Sequence, residues 1–300
     1  MKRSLLAMLA VLAGVYAGLS WIDRNDDYAA EQANWKINRK LELVLRDPMV
    51  SADRTFLELE KEYKGLAVRF PDSYLAPQSY LTIGNMYLVR KNPERARSNL
   101  QEVLRLYPGN AESCAKAMTA IGRSFEMEGD WPKAQESYRL LRKSYPLTDP
   151  ALEVLLYIAR VYEKNGDRAG AQAAFAQAEE EYKKLGNRYA GSEVEVKSLR
   201  LLANVYVAQE RWREAVETMG QALISAASQR ALTPPQANVL LKSINTISVV
   251  ELKDYDLPIG IYKEFIEKNS WHGLRPVLKK LIKVLEDLKA NKVKLEAPKS

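Results

Sequence analysis

The sequence predicts an all-α protein: a solenoid of about four to six antiparallel helix pairs, with an N-terminal hydrophobic helix and a C-terminal capping helix. Three observations predict it. The chain is 47% hydrophobic and 28% charged with only 14 glycines in 300 residues, and it is rich in the strong helix formers Ala, Leu, Glu, Lys and Arg. The quintet Ile83-Gly84-Asn85-Met86-Tyr87 recurs as Ile121-Gly122-Arg123-Ser124-Phe125, Ile158-Ala159-Arg160-Val161-Tyr162 and Leu202-Ala203-Asn204-Val205-Tyr206. The small residues Gly84, Gly122, Ala159 and Ala203 are spaced 38, 37 and 44, and twelve residues after each stands another small one: Ala96, Ala134, Ala171 and Ala215. Independent markers that keep one register define a repeat.

Each marker has a physical reason. Small residues let the two helices of a pair, A and then B, approach closely. The aromatic three residues after the first small one shares its helix face and fills the gap between units. Gly129-Asp130 and Gly166-Asp167 end helix A and cap helix B. Phe70-Pro71, Tyr107-Pro108 and Tyr145-Pro146 close successive units, because proline cannot continue a helix. The third and fourth units lack that proline. The spacing of 44 implies about seven extra residues, expected as a connecting loop around 185–193. Trp131 and Trp212, each just after an internal turn, are expected to pack.

The pattern resembles the tetratricopeptide repeat (TPR). In the order of that family's signature, one unit reads Tyr80, Ile83, Gly84, Tyr87, Ala96, Leu100, Val103, Pro108, and the next Met118, Ile121, Gly122, Phe125, Ala134, Tyr138, Leu141, Pro146. The phrase Phe70-Pro71-Asp72-Ser73-Tyr74-Leu75-Ala76 is similar to a bacterial cell-envelope subtype: the TPR lipoprotein of the outer-membrane barrel-assembly machinery and the periplasmic TPR partner of the Tol–Pal system. The resemblance covers about residues 51–230 and implies a protein-binding scaffold. No Cys stands after the N-terminal apolar run, which argues against a barrel-assembly lipoprotein proper.

The remaining chain is divided accordingly. Lys2 and Arg3 precede an uncharged run over residues 4–22, so residues 1–24 read as a signal peptide or a signal anchor. The positive-inside rule places the rest of the chain outside the cytoplasm, so the expected location is periplasmic, with residues 4–22 as an inner-membrane anchor if uncleaved. Residues 25–72 are expected to form a degenerate N-terminal capping pair split at Asp47-Pro48, residues 73–230 the TPR array, and residues 231–270 a degenerate fifth pair turning at Asp254-Tyr255. Residues 271–291 form a capping helix whose face of Leu274, Val277, Leu278, Leu281, Ile282, Leu285 and Leu288 is expected to cover the last repeat. Residues 292–300 are a basic tail. Residues 271–300 carry eight Lys/Arg against three Asp/Glu, so of the net charge of +7 only +2 falls on the rest. That balance disfavours a nucleic-acid partner, which wants a basic stripe on a folded face.

The residues offer little chemistry. The lone histidine, His272, excludes a multi-histidine zinc site and a His-based triad. Neither a phosphate loop nor G-x-G-x-x-G occurs. Cys114 lies 38 after Ala76 and 37 before Ala151, a packing position. The reading is therefore of a scaffold, not an enzyme, with no catalytic residue, metal, cofactor or small-molecule substrate. Partners are expected to be other envelope proteins presenting a peptide or helix to a concave groove. The alternatives are a structural subunit of a larger envelope assembly using its outer face or ends and, more remotely, a cell-wall enzyme. The groove is set by the repeat register: Gln78, Leu81 and Asn85 in one unit; Lys116, Thr119, Arg123 and Glu126 in the next; then Glu153, Arg160 and Glu163; then Lys197, Arg200 and Asn204. Five bases against three acids suit a carboxylate-bearing ligand.

Overall fold

The computed structural model describes residues 12–15, 27–46 and 53–296. All its regular structure among these residues is helical. The expected signal segment lies outside them except for 12–15, which are helical, as do the expected split at Asp47-Pro48 and the end of the basic tail. Among the described residues no helix is long and apolar enough to cross a membrane. The chain divides into two compact units, Met1–Leu152 and Glu153–Ser300.

The first unit holds α1 (Asp27–Leu45), α2 (Asp53–Arg69), α3 (Leu75–Val89), α4 (Pro93–Leu106), α5 (Ala111–Met127) and α6 (Trp131–Ser144). Its helices pack in sequence order as pairs, and α3 touches α1, α2, α4 and α5. The small residues do what the register requires. A Cβ on Gly84 would lie 2.5 Å from Leu100 Cγ, and one on Gly122 would lie 2.3 Å from Tyr138 Cε1. Ala96, Ala134, Leu100 and Tyr138 are fully buried across these contacts. Cys114 is likewise fully buried, and its Sγ–H points to the Tyr107 carbonyl at 3.3 Å. Trp131 packs edge-on to Tyr138.

The second unit continues from α7 (Asp149–Lys164), whose first turn belongs to the first unit, through α8 (Arg168–Arg188), α9 (Glu193–Ala208), α10 (Trp212–Ser228), α11 (Pro234–Thr246), a π-helical turn Ile247–Glu251, α12 (Asp256–Lys268) and α13 (Arg275–Glu296). Thr233 and Gln236 form a capping box at the start of α11. Asp254 accepts backbone bonds from Asp256 and Leu257 at the turn into α12, where Pro258 is buried.

The turn within each unit is one device used four times. The residue seven after the small one has positive φ: Lys91 (57°), Gly129 (76°), Gly166 (78°) and Glu210 (57°). The next backbone N–H then reaches back to the repeated aromatic's carbonyl, from Asn92 to Tyr87, Asp130 to Phe125, Asp167 to Tyr162 and Arg211 to Tyr206, at 2.8–3.0 Å. This is the Schellman closure of a helix. Asn92, Asp130 and Asp167 then cap helix B through their side chains, whereas Arg211 does not.

The structure corrects two expectations. The seven extra residues of the third unit do not form a loop. They lengthen its helix B: α8 has 21 residues where α4 and α6 have 14. Tyr107 and Tyr145 end their helices as C-caps and are followed by Pro108 and Pro146; Tyr182 keeps that register but is followed by Lys183. Without the proline the backbone continues for two turns, about 10 Å, to a C-cap at Tyr189. Second, the apolar face of α13 is wider than its contact with the repeat before it. Leu278, Ile282 and Leu285 are buried with Tyr262 and Phe265 of α12, but Val277 and Leu288 remain 47% and 45% exposed.

Candidate functional site: helix A faces and a cleft beside the long helix

The groove residues stand on the four helices A, which are α3, α5, α7 and α9. In the first unit Gln78, Asn85, Lys116 and Arg123 are exposed, and Thr119 and Glu126 are half-buried. Lys116 sits 3.5 Å from Glu112. The Thr119 hydroxyl is turned back onto the Ala115 carbonyl at 3.0 Å. Glu126 accepts a 2.7 Å bond from the buried Tyr138 hydroxyl, so its carboxylate also supports the core. Leu81 is only 3% exposed. The register placed it on the groove-lining stripe, but α3 is enclosed by four neighbouring helices, which leaves that position no opening.

In the second unit Glu153, Arg160, Glu163, Arg200 and Asn204 are exposed and Lys197 is half-buried. Lys197 and Glu153 approach to 3.4 Å, tying the stripes of α7 and α9 together. Arg160 and Arg200 enter no ion pair among the described residues, so their guanidinium forks are open to solvent. With the exposed Glu163, likewise outside any ion pair among the described residues, the groups that remain available carry two positive charges against one negative.

A second feature has no counterpart in the groove read from the register. An open cleft of about 550 Å³ lies between the C-terminal half of α8, α9 and α10. Its α8 wall includes Lys183, Gly186 and Asn187, in the two turns added where proline is missing. Leu199, Leu202 and Tyr206 come from α9, and Glu214, Glu217, Thr218 and Gln221 from α10. At about 100° per residue, the cleft residues of α9 and the stripe Lys197, Arg200, Asn204 project some 160° apart. The only sequence signal for the cleft was the proline replaced by Lys183.

One edge of this cleft is stiffened by a charge cluster. Glu179 accepts from Lys183 and Arg211, each at 2.7 Å, and from the Tyr206 hydroxyl at 3.2 Å. Arg211 also stacks over the Tyr206 ring, 4.3 Å from its centroid. Burial pushes the Glu179 carboxyl up, but the bonds from Lys183 and Arg211 outweigh it and hold the group below the ordinary carboxylate range. The same arrangement recurs in the first unit, where Tyr87 donates to Glu60 at 2.5 Å and Lys64 bonds Glu60 at 2.6 Å. There burial, and then the Glu60 bond, push the Tyr87 phenol up to about 12. Both carboxylates lie 27 residues before their tyrosine, so a carboxylate on one unit's helix B holds the aromatic of the next helix A. Among the described residues no group of three His, Cys, Asp or Glu could hold a metal ion.

Tetratricopeptide-repeat family models match residues 81–148, 153–192 and 198–232. These stretches carry tetratricopeptide repeats, a repeat whose carriers generally serve as non-catalytic protein-interaction scaffolds. Among solved structures the chain is similar to the TPR2AB domain of yeast Sti1 in a pHSP90 complex, at 13% identity and a TM-score of 0.33, covering 87% of this chain and 100% of that one. It is also similar to the APC/C hetero-tetramer Cut9–Hcn1, at 13% identity and a TM-score of 0.30, covering 86% of this chain and 54% of that one. No curated protein matches it.

Proposed function

We propose that this protein is a scaffold of the bacterial cell envelope that binds an acidic peptide or helix of a partner on the helix A face of its second unit. The observation that carries the reading is the pair Arg160 and Arg200, exposed and without ion-pair partners among the described residues, beside the self-neutralised pair Glu153–Lys197. A guanidinium fork recognises carboxylates in a bidentate way, and exposed charge steers association. The envelope location rests on Lys2, Arg3 and the uncharged run after them. Fractionation and N-terminal sequencing of the mature chain test that location; a cytoplasmic chain retaining Lys2 and Arg3 without membrane association refutes it.

Fluorescence anisotropy with acidic peptides and their Gln isosteres tests the binding face. Charge reversal of Arg160 and Arg200 should weaken acidic-peptide binding, with an effect that shrinks as salt rises. Equal binding of the Gln isosteres, or an unaffected double mutant, defeats the reading. The cleft supports a second one, in which the partner docks beside α8 and not on the helix A face. Gln221→Trp places an indole in the cleft and leaves α7 and the stripe on α9 untouched. Binding lost in this variant and kept in the double arginine mutant would move the site to the cleft.

A further inference from the structure

The C-terminal helix α13 carries two apolar stripes, and its own fold fully buries only one. Leu278, Ile282 and Leu285 are buried against α12. Val277, Leu281, Val284 and Leu288 form the second stripe: Val277, Val284 and Leu288 are 47%, 45% and 45% exposed, and Leu281 is half-buried, with its inner side against the same core. Their spacing of 4, 3 and 4 is that of the a/d seam of a coiled coil, where apolar residues repeat every 3.5 positions on average. With Leu281 and Leu288 at a positions, the residues just before them, Lys280 and Asp287, occupy the g positions that flank the seam. Both are exposed and enter no ion pair among the described residues. The e positions, Leu278 and Leu285, are already buried in the molecule's own core.

We infer that the seam binds a second copy of this chain, with the two α13 helices antiparallel. A two-fold axis passing between residues 282 and 283 sets Val277 against Leu288 of the second copy and Leu281 against Val284 of the second copy. In that orientation g flanks g, so Lys280 meets Asp287 of the second copy and the pair recurs on the other side of the axis. The charges are thus self-complementary. Parallel pairing would set Lys280 toward an e-position leucine that is already buried, so it gains no such pair. The other flank of each helix is covered by its own α12, and the second copy therefore seats from the Lys280–Asp287 side. Four seam residues per chain make a small contact, at the weak, concentration-dependent end of protein interfaces.

Sedimentation velocity of the full chain over a wide concentration range tests this. The mass should rise from one chain to two as concentration increases. Lys280→Asp alone, or Asp287→Lys alone, should weaken association by about tenfold or more, because like charges then meet twice. Lys280→Asp combined with Asp287→Lys should restore it, because the pair is reciprocal. All three variants change exposed side chains, so circular dichroism should show unchanged helix content. A chain that stays monomeric throughout overturns the inference. So does a dimer indifferent to the single reversals, which would associate through another surface, and so does a failure of the double exchange to restore the dimer.

Discussion

Replacing Gly122 by alanine should destabilise the first unit, although alanine is the better helix former. The new Cβ would lie 2.3, 2.6 and 2.9 Å from Tyr138 Cε1, Cζ and Cδ1. These are ring atoms of a fully buried side chain, so no flexible end can swing away. Relief requires moving the ring or separating α5 from α6. Overpacking of this kind costs about 1–3 kcal/mol. Moving the ring also strains the 2.7 Å bond from its hydroxyl to Glu126, and a bond to a charged group contributes about 1.5–3 kcal/mol. Against this, alanine in place of glycine gains about 1 kcal/mol of helix propensity. The balance is a net loss of about 1–3 kcal/mol, and Gly122→Leu should lose more. Urea unfolding followed by circular dichroism measures it, with Gly65→Ala as the control. Gly65 is an exposed position within α2, and a Cβ there meets nothing within 4 Å. The control should gain stability, by up to about 1 kcal/mol. If Gly122→Ala gains as much as Gly65→Ala, then α5 and α6 are not in close contact at Gly122, and the repeat register fails with that contact.

Cys114→Ala should cost no more than about 1 kcal/mol in the same assay, since the site needs a small buried residue and loses weak sulfur bonds, to the Tyr107 carbonyl and the Tyr145 hydroxyl; a larger loss with binding abolished would show a role for the thiol. Glu210→Gly should raise stability by about 0.5–1 kcal/mol, because Glu210 holds φ of 57° where two other units have glycine and the left-handed conformation costs an L-residue about 1–2 kcal/mol before glycine's chain entropy is subtracted; a lower melting temperature would contradict the turn analysis. Glu179→Gln should cost about 1 kcal/mol at pH 7, a magnitude limited by the partial exposure of Lys183 and Arg211. Because the folded-state pKa of Glu179 is depressed, its contribution is present above the ordinary carboxylate pKa of about 4.3 and is lost as pH falls through the lower folded value. The gap between wild type and mutant should therefore close in acid, and a gap that widens there would reverse the argument.

The local signals in this sequence were enough to specify the repeat. Gly122 and Tyr138, Ala96 and Leu100, and Gly129-Asp130 each act within one helix pair, over a few turns of chain, where spacing alone fixes which side chains meet. The helix type, the pair order and the capping side chains of Asp130 and Asp167 were legible for that reason. What escaped depended on how many neighbours an element has. Leu81 sits at a groove position by register, yet α3 is enclosed by four helices, and enclosure is a property of the assembly. Lys183 announced a missing proline, but only the packed structure showed a helix extended by two turns, and with it a cleft on the face of α9 away from the stripe that the register selected. In α13 the sequence showed one broad apolar face. Tertiary packing divided it, because the preceding repeat is narrower than the face: Leu278, Ile282 and Leu285 went inward and Val277 and Leu288 were left in water.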